Sequence, residues 1–138
     1  MNPDAALQFL EDHQPMPGDS EITQDECDVF AELLVHFREH ADPRSIPLLV
    51  NSVSTSTGMG MYEDISRVLM AHQKSAVVPH IRHGLLQGSD GVKYRCCWWA
   101  ADVSAWELTD IIEPLTRSDH EDTRDAAKAF IELSTELA

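Results

Sequence analysis

The sequence predicts an all-α fold, an α-α superhelix of about three helical hairpins behind an N-terminal helical cap, and three observations predict it. One apolar stripe recurs twice at a shift of 31 residues, and a proline-marked apolar motif precedes each copy. No window alternates apolar and polar residues between hairpin turns, which argues against a sheet. With 138 residues, of which 43% are hydrophobic and 25% charged, the chain reads as a single domain over 1–138. A chain of this size removes roughly two thirds of its unfolded surface from water, so its core needs neither disulfide nor metal. The apolar content is also too evenly spread for a disordered tail.

Asn2 ahead of Pro3 signals a first helix, an acceptor followed by a residue that tolerates the first turn, with Leu7 and Leu10 at helical spacing. The Pro15-Met16-Pro17-Gly18 stretch ends it. Thr23-Gln24-Asp25-Glu26 then has capping-box form, and Val29, Phe30, Leu33, Leu34 and Phe37 make a stripe running to about His40. These two helices, residues 3–12 and 22–40, form the cap assigned to 1–41. From Asp42 the pattern becomes helices of about three turns. Met61, Ile65, Val68 and Leu69 align with Val92, Cys96, Trp99 and Ala100, and then with Thr123, Ala127, Phe130 and Ile131. The shared offsets describe one helix face, so each segment buries an equivalent stripe.

The preceding motif reads Ile46-Pro47-Leu48-Leu49, then Val78-Pro79-His80-Ile81, then Ile112-Glu113-Pro114-Leu115, at shifts of 32 and 34 residues. The unequal shifts belong to loops of different length, carrying Gly58 and Gly60, then residues 88–91, then residues 119–122. The unit is helix A, loop, helix B, over 42–138. Asp42-Pro43-Arg44-Ser45-Ile46-Pro47-Leu48-Leu49 resembles the opening of helix A in short bacterial HEAT-like repeats. Val92-Lys93-Tyr94-Arg95-Cys96-Cys97 and Thr123-Arg124-Asp125-Ala126-Ala127 resemble the opening of helix B in that family. The resemblance spans 42–136 and implies a HEAT-like solenoid whose two ends need caps. The chain departs from the pattern at Thr123, which takes an apolar position, and at Tyr62, which takes a basic one. The Trp, Leu-Gly and Tyr positions of tetratricopeptide repeats and the Thr-Pro-Leu-His string of ankyrin repeats are missing.

With 24 acidic against 10 basic side chains the formal net charge is -14, the wrong sign for displacing counterions from phosphates, so nucleic acid is disfavoured as a partner. Cys27, Cys96 and Cys97 form neither a disulfide framework nor a C-x-x-C spacing. No basic, apolar leader opens the sequence, and no apolar run approaches the about 18 residues of a membrane span, so the expected setting is cytoplasmic, with no membrane partner.

Catalytic motifs are missing: there is no Gly-x-Ser-x-Gly elbow, phosphate-binding glycine loop or His-Glu-x-x-His helix. A non-enzyme without cofactor or metal is expected. His36 with His40, and His80 with His83, lie one turn apart, a spacing from which a divalent metal could be bridged if carboxylates such as Glu39 joined in, but histidines on polar faces are ordinarily solvated. Cys96 falls on the buried stripe as core packing. Paired carboxylates are too abundant here to signal acid-base chemistry.

Charge distribution is more informative. Residues 1–41 carry a net -9, residues 42–104 a net +1, and residues 105–138 a net -6. Acidic ends around a nearly neutral middle create a field that steers basic proteins, though it also serves plain solubility. If Val92, Cys96, Trp99 and Val103 point inward, Tyr94, Arg95, Trp98 and Asp102 are left on the other side, with Trp106 past the helix end. Tyr, Trp and Arg together on open surface are what binding hot spots favour, whereas packing of Trp98 on a neighbouring helix is the competing reading.

The HEAT-like resemblance implies that B helices line the concave binding face, which adds Glu63, Asp64 and Arg67 on one flank and Asp125 on the other. It also implies a function, because small acidic HEAT-like proteins of bacteria include immunity proteins that occlude a cognate toxin, often a basic nuclease. A generic scaffold or regulatory adaptor is the alternative. Family relatives that act as enzymes or accessories, phycobilin lyases and alkylpurine DNA glycosylases, fit less well. The first needs a larger apolar groove, and the second a basic one.

Overall fold

Asn2 caps the first helix, α1 (Pro3–Asp12), with its Oδ1 accepting from the Asp4 and Ala5 amides at 2.8 and 3.2 Å. Pro3 occupies a position whose amide has no intrahelical partner anyway. The second helix, α2 (Gln24–Glu39), opens with the expected capping box: the Glu26 amide donates to Thr23 Oγ1 at 3.1 Å, and the Thr23 amide to Glu26 Oε1 at 3.0 Å. Its stripe of Phe30, Leu33, Leu34 and Phe37 is buried. His13 ties the two helices together, its ring stacked on Phe9 and its Nε2 2.9 Å from Glu26 Oε2.

The computed structural model describes residues 1–137, so the end of the expected 1–138 domain, residue 138, lies outside the described residues. After α2 come α3 (Ser45–Val50), α4 (Ile65–Leu69), α5 (Lys74–Gln87), α6 (Asp90–Asp102), α7 (Thr109–Ile112) and α8 (Glu121–Leu137). The fold is all-α, with no strand among the described residues. None of these helices is long and apolar enough to cross a membrane. α1 packs on α3, α3 on α5 and α5 on α7, while α2 packs on α4, α4 on α6 and α6 on α8. One hydrophobic core runs through all of them, from Ala6 to Phe130.

The repeated stripe is inward in all three segments: Ile65, Val68 and Leu69, then Val92, Cys96, Trp99 and Ala100, then Thr123, Ala127 and Phe130 are buried, with Met61 and Ile131 half-buried. Thr123 holds its apolar position because its hydroxyl is satisfied, donating to the Asp90 carbonyl at 3.2 Å with His120 Nδ1 2.8 Å away. Cys97 is buried as well as Cys96, because α6 is covered by α4, α5 and α8 and has protein on more than one side. Burial pushes both thiols up, that of Cys97 to about 12.

Helix lengths depart from expectation. Among the helices from residue 42 onward, α5, α6 and α8 reach three turns, whereas α3, α4 and α7 have 6, 5 and 4 residues. Ahead of α4, Gly58, Met59 and Gly60 have φ of 61°, 53° and 83°, which no right-handed helix accepts, so the chain kinks there and the 3-10 turns within residues 58–64 do not extend α4 backwards. Gly58 is required there, since a Cβ would lie 2.4–2.8 Å from the Tyr62 ring. After α7, Pro114 lacks the amide an α-helix needs, and residues 113–117 continue as 3-10 turns.

Candidate functional site

α4 and α6 pack side by side, and a cleft of about 220 Å³ opens along their seam. Tyr94, Trp98 and Asp102 line it from α6, where spacing of four residues keeps them on one stripe. Ser89 starts that helix by accepting from the Val92 amide. Glu63 and Ser66 line the opposite wall, and the buried side chains of Tyr62, Arg95 and Trp99 close the base.

Trp98 is 39% exposed and Tyr94 is half-buried against the core, so both rings reach the cleft. Arg95 corrects an expectation: it is only 8% exposed and lies beneath the surface it was expected to share with Trp98. The reason is local pairing. Its Nη1 donates to Glu63 Oε1 at 2.9 Å, and its guanidinium carbon sits 5.1 Å from the Tyr94 ring centre and 5.6 Å from that of Tyr62. Cation-π attraction and a charge-assisted hydrogen bond therefore hold the head down. Among the described residues its Nε is enclosed without a hydrogen-bond acceptor, and the Tyr62 hydroxyl is likewise buried without a hydrogen-bond partner. Burial raises the Tyr62 pKa.

Asp102 is exposed and accepts from Ser66 Oγ at 2.8 Å, a bond that ties α6 to α4 across the opening. Among the described residues no basic side chain pairs with it. Since Arg95 is matched by Glu63, the cleft carries one unbalanced negative charge. Asp102 also borders an adjoining hollow of about 200 Å³ lined by Met70, His72, Lys74 and Val103.

No family model, no curated protein and no solved structure matches this chain. The site therefore has to be read from its own geometry.

Of the residues expected at a binding face, Glu63, Tyr94, Arg95, Trp98 and Asp102 come together at the cleft. Asp64, Arg67 and Asp125 are exposed but do not line it, and Asp64 borders a separate cavity of about 140 Å³ with Leu34 and Arg38. Trp106 is half-buried on Phe130, with ring centres 5.2 Å apart, and is core rather than surface. Sequence reasoning missed Ser66, Tyr62 and Trp99. Ser66 was findable, being three residues beyond Glu63 and hence on its helix face. Tyr62 was noticed only as a departure from a repeat pattern.

Of the two histidine pairs, His36 and His40 have their rings 4.9 Å apart, beside a hollow bordered by Met1 and Glu39. Burial lowers the pKa of His36 and of His80. Among the described residues no group of three or more His, Cys, Asp or Glu side chains is placed to hold a metal ion.

Proposed function

We propose that this chain is a non-catalytic protein-binding module of HEAT-like solenoid architecture, acting as an immunity protein that occludes a basic toxin domain. The observation that carries the reading is a 39%-exposed Trp98 set beside Tyr94 in a cleft bordered by the carboxylates of Glu63 and Asp102. A large ring in that setting buries much area at small entropic cost, as hot spots require. The serial packing of first helices on first helices and second on second supports the solenoid. The net charge of -14 supports a basic partner, because its field accelerates encounter with positive surfaces. Asp64, Arg67 and Asp125, exposed outside the cleft, take the part of rim charges in this reading, affecting association rate more than residence time.

The mechanism is stoichiometric occlusion in a cytoplasmic setting, with no bond made or broken. Co-expression with the product of the gene adjacent to this one, assayed for toxicity, tests it. The expected result is an equimolar complex in which toxin activity is lost, and in which Trp98→Ala weakens affinity by about 2 kcal/mol, roughly thirtyfold, with the helical signal intact. A saturated complex in which the bound protein keeps its activity would favour a scaffold or adaptor. Unchanged affinity of Trp98→Ala would remove the anchor.

A further inference from the structure

The α4–α6 cleft is one positive charge short. It holds two carboxylates, Glu63 and Asp102, against one built-in cation, Arg95. That cation is committed, since Arg95 is 8% exposed, paired with Glu63 and laid against two tyrosine rings. Glu63, by contrast, keeps its side chain 77% exposed with one oxygen engaged, and among the described residues Asp102 accepts from the Ser66 hydroxyl alone. The wall between these two acids is the aromatic pair Tyr94 and Trp98.

We infer that the cleft takes an arginine side chain of the partner protein, its guanidinium laid against Trp98 and shared between Asp102 and the free oxygen of Glu63. This deepens the protein-binding reading and rests on it. Three considerations favour arginine. Its charge completes the balance of the cleft, and an anionic occupant would face two carboxylates across a cation already spent. A planar guanidinium stacks on aromatic rings and sheds water more readily than an ammonium, so arginine suits the site better than lysine. Finally, Arg95 itself lies over Tyr94 at 5.1 Å, so the ring already accepts a guanidinium on its inner side. The volume of about 220 Å³ suits one long side chain rather than a folded segment.

The test is a titration of the isotope-labelled full chain with a blocked Gly-Arg-Gly tripeptide and with its citrulline counterpart, which keeps the shape and removes the charge. The arginine peptide should shift the Trp98 indole and the backbone signals of Ser66 and Asp102 along one saturable curve, and citrulline should bind at least about fivefold more weakly. Asp102→Asn and Glu63→Gln should each weaken the arginine peptide about threefold, while Glu11→Gln on α1 leaves it unchanged. Equal binding of citrulline, shifts confined to the acidic ends, or indifference to Asp102→Asn would overturn the inference. If the tripeptide ignores the cleft while the toxin complex still depends on Trp98, the arginine anchor is wrong and the binding reading survives. If the tripeptide occupies the cleft but the toxin complex is indifferent to Trp98, the binding reading falls and the chemistry assigned to the cleft stands.

Discussion

α4 and α6 carry the same apolar stripe at a shift of 31 residues, yet one has 5 residues and the other 13. The stripe decides which side chains face inward; the residues ahead of it decide how much helix there is. Before α6, Ser89 supplies a cap and the helix starts at once. Before α4, three consecutive residues with positive φ hold the chain in a loop tied down by Asp19, which accepts from the Thr57 hydroxyl at 2.6 Å and from the Met59 amide at 3.2 Å. The cleft is the seam between these unequal walls. α6, packed by three helices, supplies the aromatic rings, and the 3-10 turn leading into α4 supplies Glu63 on a more exposed arm.

The widest expected difference between the two walls is in the core position they share. Trp99→Ala in α6 should cost about 3–5 kcal/mol, and its register equivalent Val68→Ala in α4 about 1.5–2.5 kcal/mol, both read from urea unfolding. Equal losses would mean that α6 is not the better-packed wall. Next come the loop glycines. Gly58→Ala should cost about 2–5 kcal/mol, because its Cβ meets the Tyr62 ring and its φ of 61° adds the left-handed backbone penalty, whereas Gly60→Ala, with nothing within 4 Å, bears only that penalty of about 1–2 kcal/mol. A reversed order in thermal unfolding would remove the account of why this loop interrupts the helix.

The smallest effect is on pH. The Thr57 hydroxyl and the neighbouring loop amides hold the Asp19 carboxyl below its ordinary value, so its contribution is present above that value and is lost as pH falls through the lower, folded one. Protection of the Met59 amide, its exchange rate taken relative to the intrinsic rate at each pH, should therefore fall as pH drops below the ordinary carboxylate value while that of the α6 amides does not, and Asp19→Asn should abolish the difference. Met59 protection that stays flat with pH in the parent chain would detach Asp19 from the loop.

Much of the architecture was legible along the chain because its signals are local. Asn2, the Thr23–Glu26 box and the stripe spacing act within four residues of themselves, and they appear where the pattern places them. The shortness of α3, α4 and α7 was harder to see, because it depends on backbone conformations and on Pro114 rather than on apolar periodicity. At the site, Tyr94, Trp98 and Asp102 follow from helical spacing alone. Arg95 does not: a basic residue beside aromatics reads as surface until the partner that holds it, Glu63, is seen 32 residues away.

The amino-acid order by itself determined the helical class, the inward stripe of each segment and the acidic balance, since all three arise from residue type and from spacing within a turn or two. Tertiary structure alone decided that α4 and α6 share a seam, that Arg95 is drawn beneath it and that Asp102 is left without a cation. Those outcomes depend on which distant groups compete for the same charge, a competition that exists only once the helices have packed.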